Sequence, residues 1–183
     1  MRITGGRLGG RKLLTPPAGS RDVRPTSDRA RETLFAVLGD VSDLSVLDLF
    51  CGTGALAIEA ISRGADSAVL VDRAPALARR NAEALGIANR CEVVRADAVR
   101  YLERQEHSGE RFGLIFCDPP YKLADRLAPK LAKHLPPHLA RYARVVVESS
   151  ARRPLEIDLP QPKWQLVDER RIGEALIRIY GQR

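Results

Sequence analysis

The tetrapeptide Asp118-Pro119-Pro120-Tyr121 follows the apolar run FGLIFC and joins a carboxylate, a rigid backbone and an aromatic ring. Two consecutive prolines fix φ and remove two N–H donors, so a carbonyl of this segment and the Asp118 carboxylate can be held toward one space. That set suits an exocyclic amine on a nucleic-acid base. The amine is a poor nucleophile because its lone pair is delocalised into the ring. Hydrogen bonds from its two N–H groups to Asp118 and the Pro119 carbonyl would return electron density to nitrogen. Tyr121 would stack on a base that has left its helix or was never paired. Methyl transfer to such a nitrogen is an in-line displacement, which asks mainly for alignment and electrostatics. In isolation the same residues read as a proline turn with a helix-capping Asp and a surface Tyr. Their register, after a strand and downstream of a glycine loop, favours the chemical reading. Cys117 is predicted on the strand rather than in the turn, which argues against cysteine attack on cytosine C5.

The glycine loop lies in Val46-Leu47-Asp48-Leu49-Phe50-Cys51-Gly52-Thr53-Gly54, where a strand ends and a helix begins. Gly52-x-Gly54-x-x-Ala57 satisfies a loose dinucleotide fingerprint, and Asp72 ends the next strand, so a nicotinamide enzyme stays open on these features alone. Two acids weigh against it. Asp48 sits before the loop, placed to hold the cationic amino-acid end of S-adenosylmethionine. Asp97 follows the third strand, placed to receive an adenine amine, although Asp there is equally a helix cap. With Asp72 at the ribose, the three acids suit one adenosyl nucleoside without a pyrophosphate. Phe50, Arg73 and Ala98, neighbours of these residues, complete the expected cofactor set.

These residues need a sheet to carry them. Short apolar runs alternate with longer amphipathic ones, the pattern of a parallel sheet covered by helices on both faces. Strands are predicted near 45–50, 67–72, 91–95, 112–117 and 143–148, with helices near 54–63, 74–86, 97–106 and 123–135. A further helix is predicted over 26–38, capped by Thr26 or Ser27. The closely spaced runs WQLVDERR and EALIRIYG predict an antiparallel C-terminal hairpin. The expected fold is therefore α/β, a doubly wound, mostly parallel seven-stranded sheet. It is preceded by a basic arm over residues 1–22, flexible or a small projecting hairpin, ahead of one catalytic domain over residues 23–183.

The chain has 183 residues and a formal charge of +7, and the charge is unevenly spread. Residues 1–31 hold eight bases (Arg2, Arg7, Arg11, Lys12, Arg21, Arg24, Arg29, Arg31) against Asp22 and Asp28, which is +6 of the total. Such concentration points to a polyanionic partner contacted by the arm, although Arg29 and Arg31 also read as a solvated helix face with a local Asp28–Arg31 pair. Cys51, Cys91 and Cys117 are dispersed and odd in number, so neither zinc nor a disulfide framework is indicated. The three histidines, His107, His134 and His138, share no motif and are expected in solvated or capping roles. No window reaches the length of a membrane span and no signal-peptide run opens the chain, so cytoplasmic is the default location.

With these residues assembled, the chain resembles the RsmD family of small-subunit ribosomal RNA guanine-N2 methyltransferases. The resemblance is carried by RITGGRLGGRKL at the start, RPTSDRARETLF over 24–35, DLFCGTGALAIEAISRGA over 48–65 and DPPY over 118–121. It implies S-adenosyl-L-methionine as cofactor and one guanine of 16S rRNA as target, presented on an assembled or partly assembled 30S subunit to a monomeric enzyme. It also implies that Arg24, Pro25 and Thr26 face the cofactor or base, with Arg2, Arg7, Arg11 and Lys12 gripping RNA. The glycine loop and DPPY by themselves extend to methyltransferases of DNA adenine or cytosine, and a basic RNA-binding assembly factor is the non-enzymatic alternative.

Overall fold

The structure is a computed structural model that describes residues 1–17, 27–160 and 164–182, and of Tyr121 the backbone only. Strands β1 (Ser45–Leu49), β2 (Ser67–Asp72), β3 (Cys91–Arg95), β4 (Phe112–Cys117) and β5 (Leu139–Ser150) are parallel, in the spatial order β3-β2-β1-β4-β5. The hairpin of β6 (Gln165–Ile172) and β7 (Ala175–Gly181) extends that sheet, with β7 antiparallel between β5 and β6. The seven-stranded, mostly parallel architecture expected from the sequence is thus present. Central parallel strands are covered on both faces and so read as continuous apolar runs rather than alternating ones; Val46, Leu47 and Leu49 are each fully buried.

Helices α1 (Asp28–Leu38), α2 (Ala55–Ser62) and α3 (Ala76–Ala84) cover one face, packing Leu34, Phe35, Ile58 and Ala78 against Leu70, Leu114 and Phe116. Helices α4 (Ala98–Gln105) and α5 (Ala124–His134) cover the other, with Trp164 and Tyr180 in the same cluster. Ser27 caps α1, its Oγ accepting from the Ala30 N–H at 3.1 Å; Thr26, the alternative cap, lies outside the described residues. Strand β5 begins four residues before its expected start. An irregularity at Phe112–Leu114 lets Leu139 pair early, with Tyr142 turned to φ 62° where the extra residues are absorbed.

The first 14 residues differ most from expectation. They form a hairpin-like turn joined by an Arg2–Lys12 bridge. Instead of projecting, the turn packs along α2, with Ile3, Leu8 and Leu13 buried. The anchor is Glu59, itself fully buried. Its carboxylate accepts from the Thr4 N–H (2.8 Å), the Thr4 hydroxyl (2.8 Å), the Gly5 N–H (2.9 Å) and Arg63 Nε (2.9 Å). Arg31 stands 3.9 Å from the same carboxylate and is fully buried. The expected local pair with Asp28 forms at 2.8 Å, but Arg31 faces inward and also donates to the Arg2 carbonyl, so the solvated-face reading holds only for the exposed Arg29. His134 and His138 likewise are buried, the latter against the Leu102 carbonyl at 3.0 Å.

Candidate active site

Acids end successive strands along the carboxyl edge of the sheet, which is where a doubly wound fold opens a crevice at its change of strand order. That change falls between β1 and β4. Asp48 lies on β1 in register with Leu70 of β2 and Phe116 of β4. Its buried side chain accepts from the Ala57 N–H at the start of α2, 3.2 Å away. Burial, and to a lesser degree the nearby Asp72, raise its pKa to about 7. A carboxylate that costly to ionise fits a cationic ligand group, and the ammonium of an amino acid is one.

The loop after β1 reverses the chain with three left-handed residues: Phe50 at φ 67°, Gly52 at 53° and Gly54 at 78°. Phe50 has a Cβ, so its conformation is a strain of the kind found at ligand clamps. Gly54 serves packing more than ligand approach, since a Cβ there would stand 2.8 Å from Leu70 Cδ2 and 3.2 Å from the Ala78 methyl. Asp72 straps the loop, accepting from the Gly52 N–H at 3.0 Å and from its own turn at the Ala74 N–H, 2.8 Å. Cys51 lies buried in this loop. Its thiol is pushed well up by burial and by Asp48 and Asp72, which removes it as a nucleophile.

Asp97 is the N-cap of α4, accepting from the Val99 and Arg100 N–H groups at 3.1 and 3.2 Å. Its other oxygen pairs with exposed Arg73. Despite its partial burial, these bonds and that cation hold its carboxyl below the usual range. The helix-cap reading of Asp97 is therefore realised. A cleft of about 770 Å³ opens beside it, lined by Arg73, Ala96, Asp97, Val99 and, from α5, Leu127. Ala98, first residue of α4, is buried under this corner.

Asp118 follows β4 directly. It does not cap α5, which begins at Ala124 with no side-chain cap. Burial, then Glu148 and Asp48, raise its pKa well above the carboxylate norm. Pro119 is buried, Pro120 is exposed, and the Pro120 carbonyl accepts from the Leu123 N–H to close the turn. Cys117 is buried on the strand, its thiol pushed up by burial and by Asp118 and Asp48. Of the residues expected to contact RNA, Arg2, Arg7, Arg11 and Lys12 are exposed, and none forms an ion pair among the described residues. Arg24, Pro25 and Thr26 lie outside the described residues.

Glu148 was not singled out from the sequence. It lies near the end of β5 with 6% of its surface exposed, and among the described residues it is the charge that acts most on Asp118. The signal was present: VVVE repeats the apolar-run-then-acid pattern of SVLD, VLVD and IFCD.

The residues present fit S-adenosylmethionine better than a dinucleotide. The strand order, with β7 antiparallel inside the edge, departs from the six-stranded dinucleotide arrangement, and buried Asp48 suits an ammonium, which a pyrophosphate lacks. Fold and site together define a class I S-adenosylmethionine-dependent methyltransferase. Within that class the chain belongs to the family described as Conserved hypothetical protein 95, whose model matches residues 1–181 and which is the RsmD family of the sequence resemblance. It is 35% identical to Ribosomal RNA small subunit methyltransferase D of Escherichia coli K12, over 98% of this chain and 89% of that protein. The namesake from Haemophilus influenzae is 30% identical over 98% and 93%. Among solved structures, a putative methyltransferase, yhhF, from Escherichia coli superposes with a TM-score of 0.79 at 34% identity, covering 100% of this chain and 97% of that one.

Proposed function

We propose that this protein methylates the exocyclic N2 amine of a guanine in 16S ribosomal RNA, acting as a monomer on an assembled or partly assembled small subunit in the cytoplasm. The observation that carries the chemistry is Asp118, a raised carboxyl at the end of β4 within electrostatic reach of buried Asp48. The name of the full-length relatives supports the substrate.

In this reading Asp48 binds the amino-acid ammonium and Asp72 the ribose hydroxyls, through lone pairs left over from its two N–H bonds. Phe50, Gly52 and Gly54 shape the wall between them, and Arg73, Asp97 and Ala98 enclose the adenine. Thr26, which the resemblance assigns to the cofactor or base, lies outside the described residues. When bound, the cofactor supplies a sulfonium methyl group open to displacement. Asp118 and the Pro119 carbonyl each accept one N–H of the guanine amine, turning its lone pair toward the methyl, and Pro120 keeps the turn rigid. The stacking role expected of Tyr121 falls on a side chain outside the described residues. Once nitrogen carries the methyl, its extra proton is acidic and passes to the Asp118 carboxylate, which burial makes a stronger proton acceptor than an ordinary carboxylate. Arg2, Arg7, Arg11, Lys12 and Arg24 hold phosphates and position the enzyme without reading sequence.

Calorimetry with S-adenosylhomocysteine and with NAD tests the cofactor half, since binding of NAD alone would sink the reading. Labelled transfer to under-methylated small subunits, naked 16S RNA and duplex DNA tests the substrate half. Subunits or RNA should accept label and DNA should not. Tight RNA binding without transfer to any of the three would favour an assembly factor instead.

A further inference from the structure

A guanine amine never arrives alone, because the ring N1–H lies beside N2 on the same edge. If Asp118 and the Pro119 carbonyl take the two amine hydrogens, N1–H needs its own acceptor in a place shielded from water. Strands β4 and β5 run parallel with Phe116 opposite Val146 and Cys117 opposite Val147. Continuing that register by one residue sets Asp118 beside Glu148, with neighbouring strands about 4.8 Å apart. Alternation along the strands then puts both acids on the face of Phe116 and Val146, the face on which Asp48 reaches α2. Glu148 is nearly enclosed, and among the described residues it is the charge that acts most on Asp118.

Acceptor oxygens on neighbouring strand ends suit a ligand that offers several donors on one edge. Guanine offers three N–H groups there. Adenine and cytosine each offer an amine flanked by a ring nitrogen lone pair, which would face a carboxylate oxygen across a dry gap. Resting on the proposed methylation of a base amine, we propose that Glu148 accepts the N1–H of the target guanine and is the residue that selects guanine over adenine and cytosine.

The probe is 2-aminopurine, which keeps the N2 amine but has an unprotonated N1. Mass spectrometry of nucleosides from wild-type reactions first locates the N2-methylguanosine; its absence would defeat the underlying reading and leave nothing to select. Small subunits are then assembled on 16S RNA that carries guanosine or 2-aminopurine riboside at that position. Wild-type enzyme should prefer guanosine by about 100-fold in kcat/KM, because a site built around a donor rejects an analogue lacking it. Glu148→Gln should lose about 10- to 100-fold on guanosine. Its amide can donate to the bare N1, so its guanosine-to-2-aminopurine ratio should fall to within about fivefold of unity. The missing O6 of 2-aminopurine affects both enzymes alike. Glu148→Asp, which keeps the acceptor one methylene shorter, should keep the preference at reduced rate, and S-adenosylhomocysteine affinity should be retained in both variants. A Glu148→Gln enzyme with the wild-type ratio would overturn the assignment. Should Glu148→Gln fail to fold, a Glu148→Asp enzyme that loses the preference at unchanged guanosine rate would also overturn it.

Discussion

Asp48 carries a testable charge state. Its pKa is about 7 in the folded protein against 3.8 for the free side chain, so the folded state holds an extra proton between those values. This group's contribution to stability therefore declines as pH rises from about 4 through 7, and Asp48→Asn should remove the decline. At pH 8 the variant should be more stable than wild type, by up to roughly 2–4 kcal/mol, while losing affinity for S-adenosylhomocysteine. Urea titration and calorimetry read the two effects; a variant less stable than wild type at pH 8 would contradict the assignment. Because an ammonium favours the ionised carboxyl, cofactor binding near pH 6.5 should release a proton and tighten as pH rises. Binding enthalpies should then scale with the ionisation enthalpy of the buffer.

At the scale of elements, the hairpin-like turn belongs to the α1–α2 layer. Gly6 sits at φ 72°, where an added Cβ would meet the Ser62 carbonyl oxygen at 2.0 Å. The same serine accepts from the Arg7 N–H with its carbonyl and from the Leu8 N–H with its hydroxyl. Gly6→Ala should cost about 2–4 kcal/mol and free the first 14 residues for proteolysis. A urea midpoint within experimental scatter of wild type would contradict that packing. Much of this scale was legible beforehand. Apolar runs ending in Asp marked β1, β2 and β4, because strands buried on both faces have no alternation to hide the acid. The packing of the turn was not legible. GGRLGG reads as flexible, and the acid that anchors it, Glu59, lies 54 residues from Gly5 in the chain. Arg31 misled for a related reason, since its pair with Asp28 is local whereas Glu59 and the Arg2 carbonyl are brought to it only by folding. Asp97 was ambiguous because capping a helix and meeting a ligand ask for the same residue at the same place. Glu148 escaped notice for want of a motif around it, although its position at a strand end matched the other acids.

At the scale of the whole molecule, almost all of the +7 excess lies in residues 1–31, and four of the eight bases there, Arg2, Arg7, Arg11 and Lys12, face solvent from a turn fixed to the catalytic body. Docking on RNA should therefore depend steeply on salt. Replacing Arg7, Arg11 and Lys12 together by Ala should weaken binding to small subunits and lower the slope of log K against log salt by about 0.7–0.9 for each phosphate no longer neutralised, with S-adenosylhomocysteine affinity unchanged. An unaltered slope would move the RNA-binding surface elsewhere. Among the described residues no helix is long and apolar enough to cross a membrane.

In the proposed reaction Asp118 aligns a guanine amine for methylation. The most direct test of that role is nucleoside mass spectrometry of under-methylated small subunits incubated with labelled S-adenosylmethionine and either wild-type enzyme or Asp118→Ala. Label should appear as N2-methylguanosine with wild type. With Asp118→Ala it should fall by at least about 10³-fold, while S-adenosylhomocysteine still binds. Label in methyladenosine or methylcytidine, or equal transfer by the two enzymes, would contradict it.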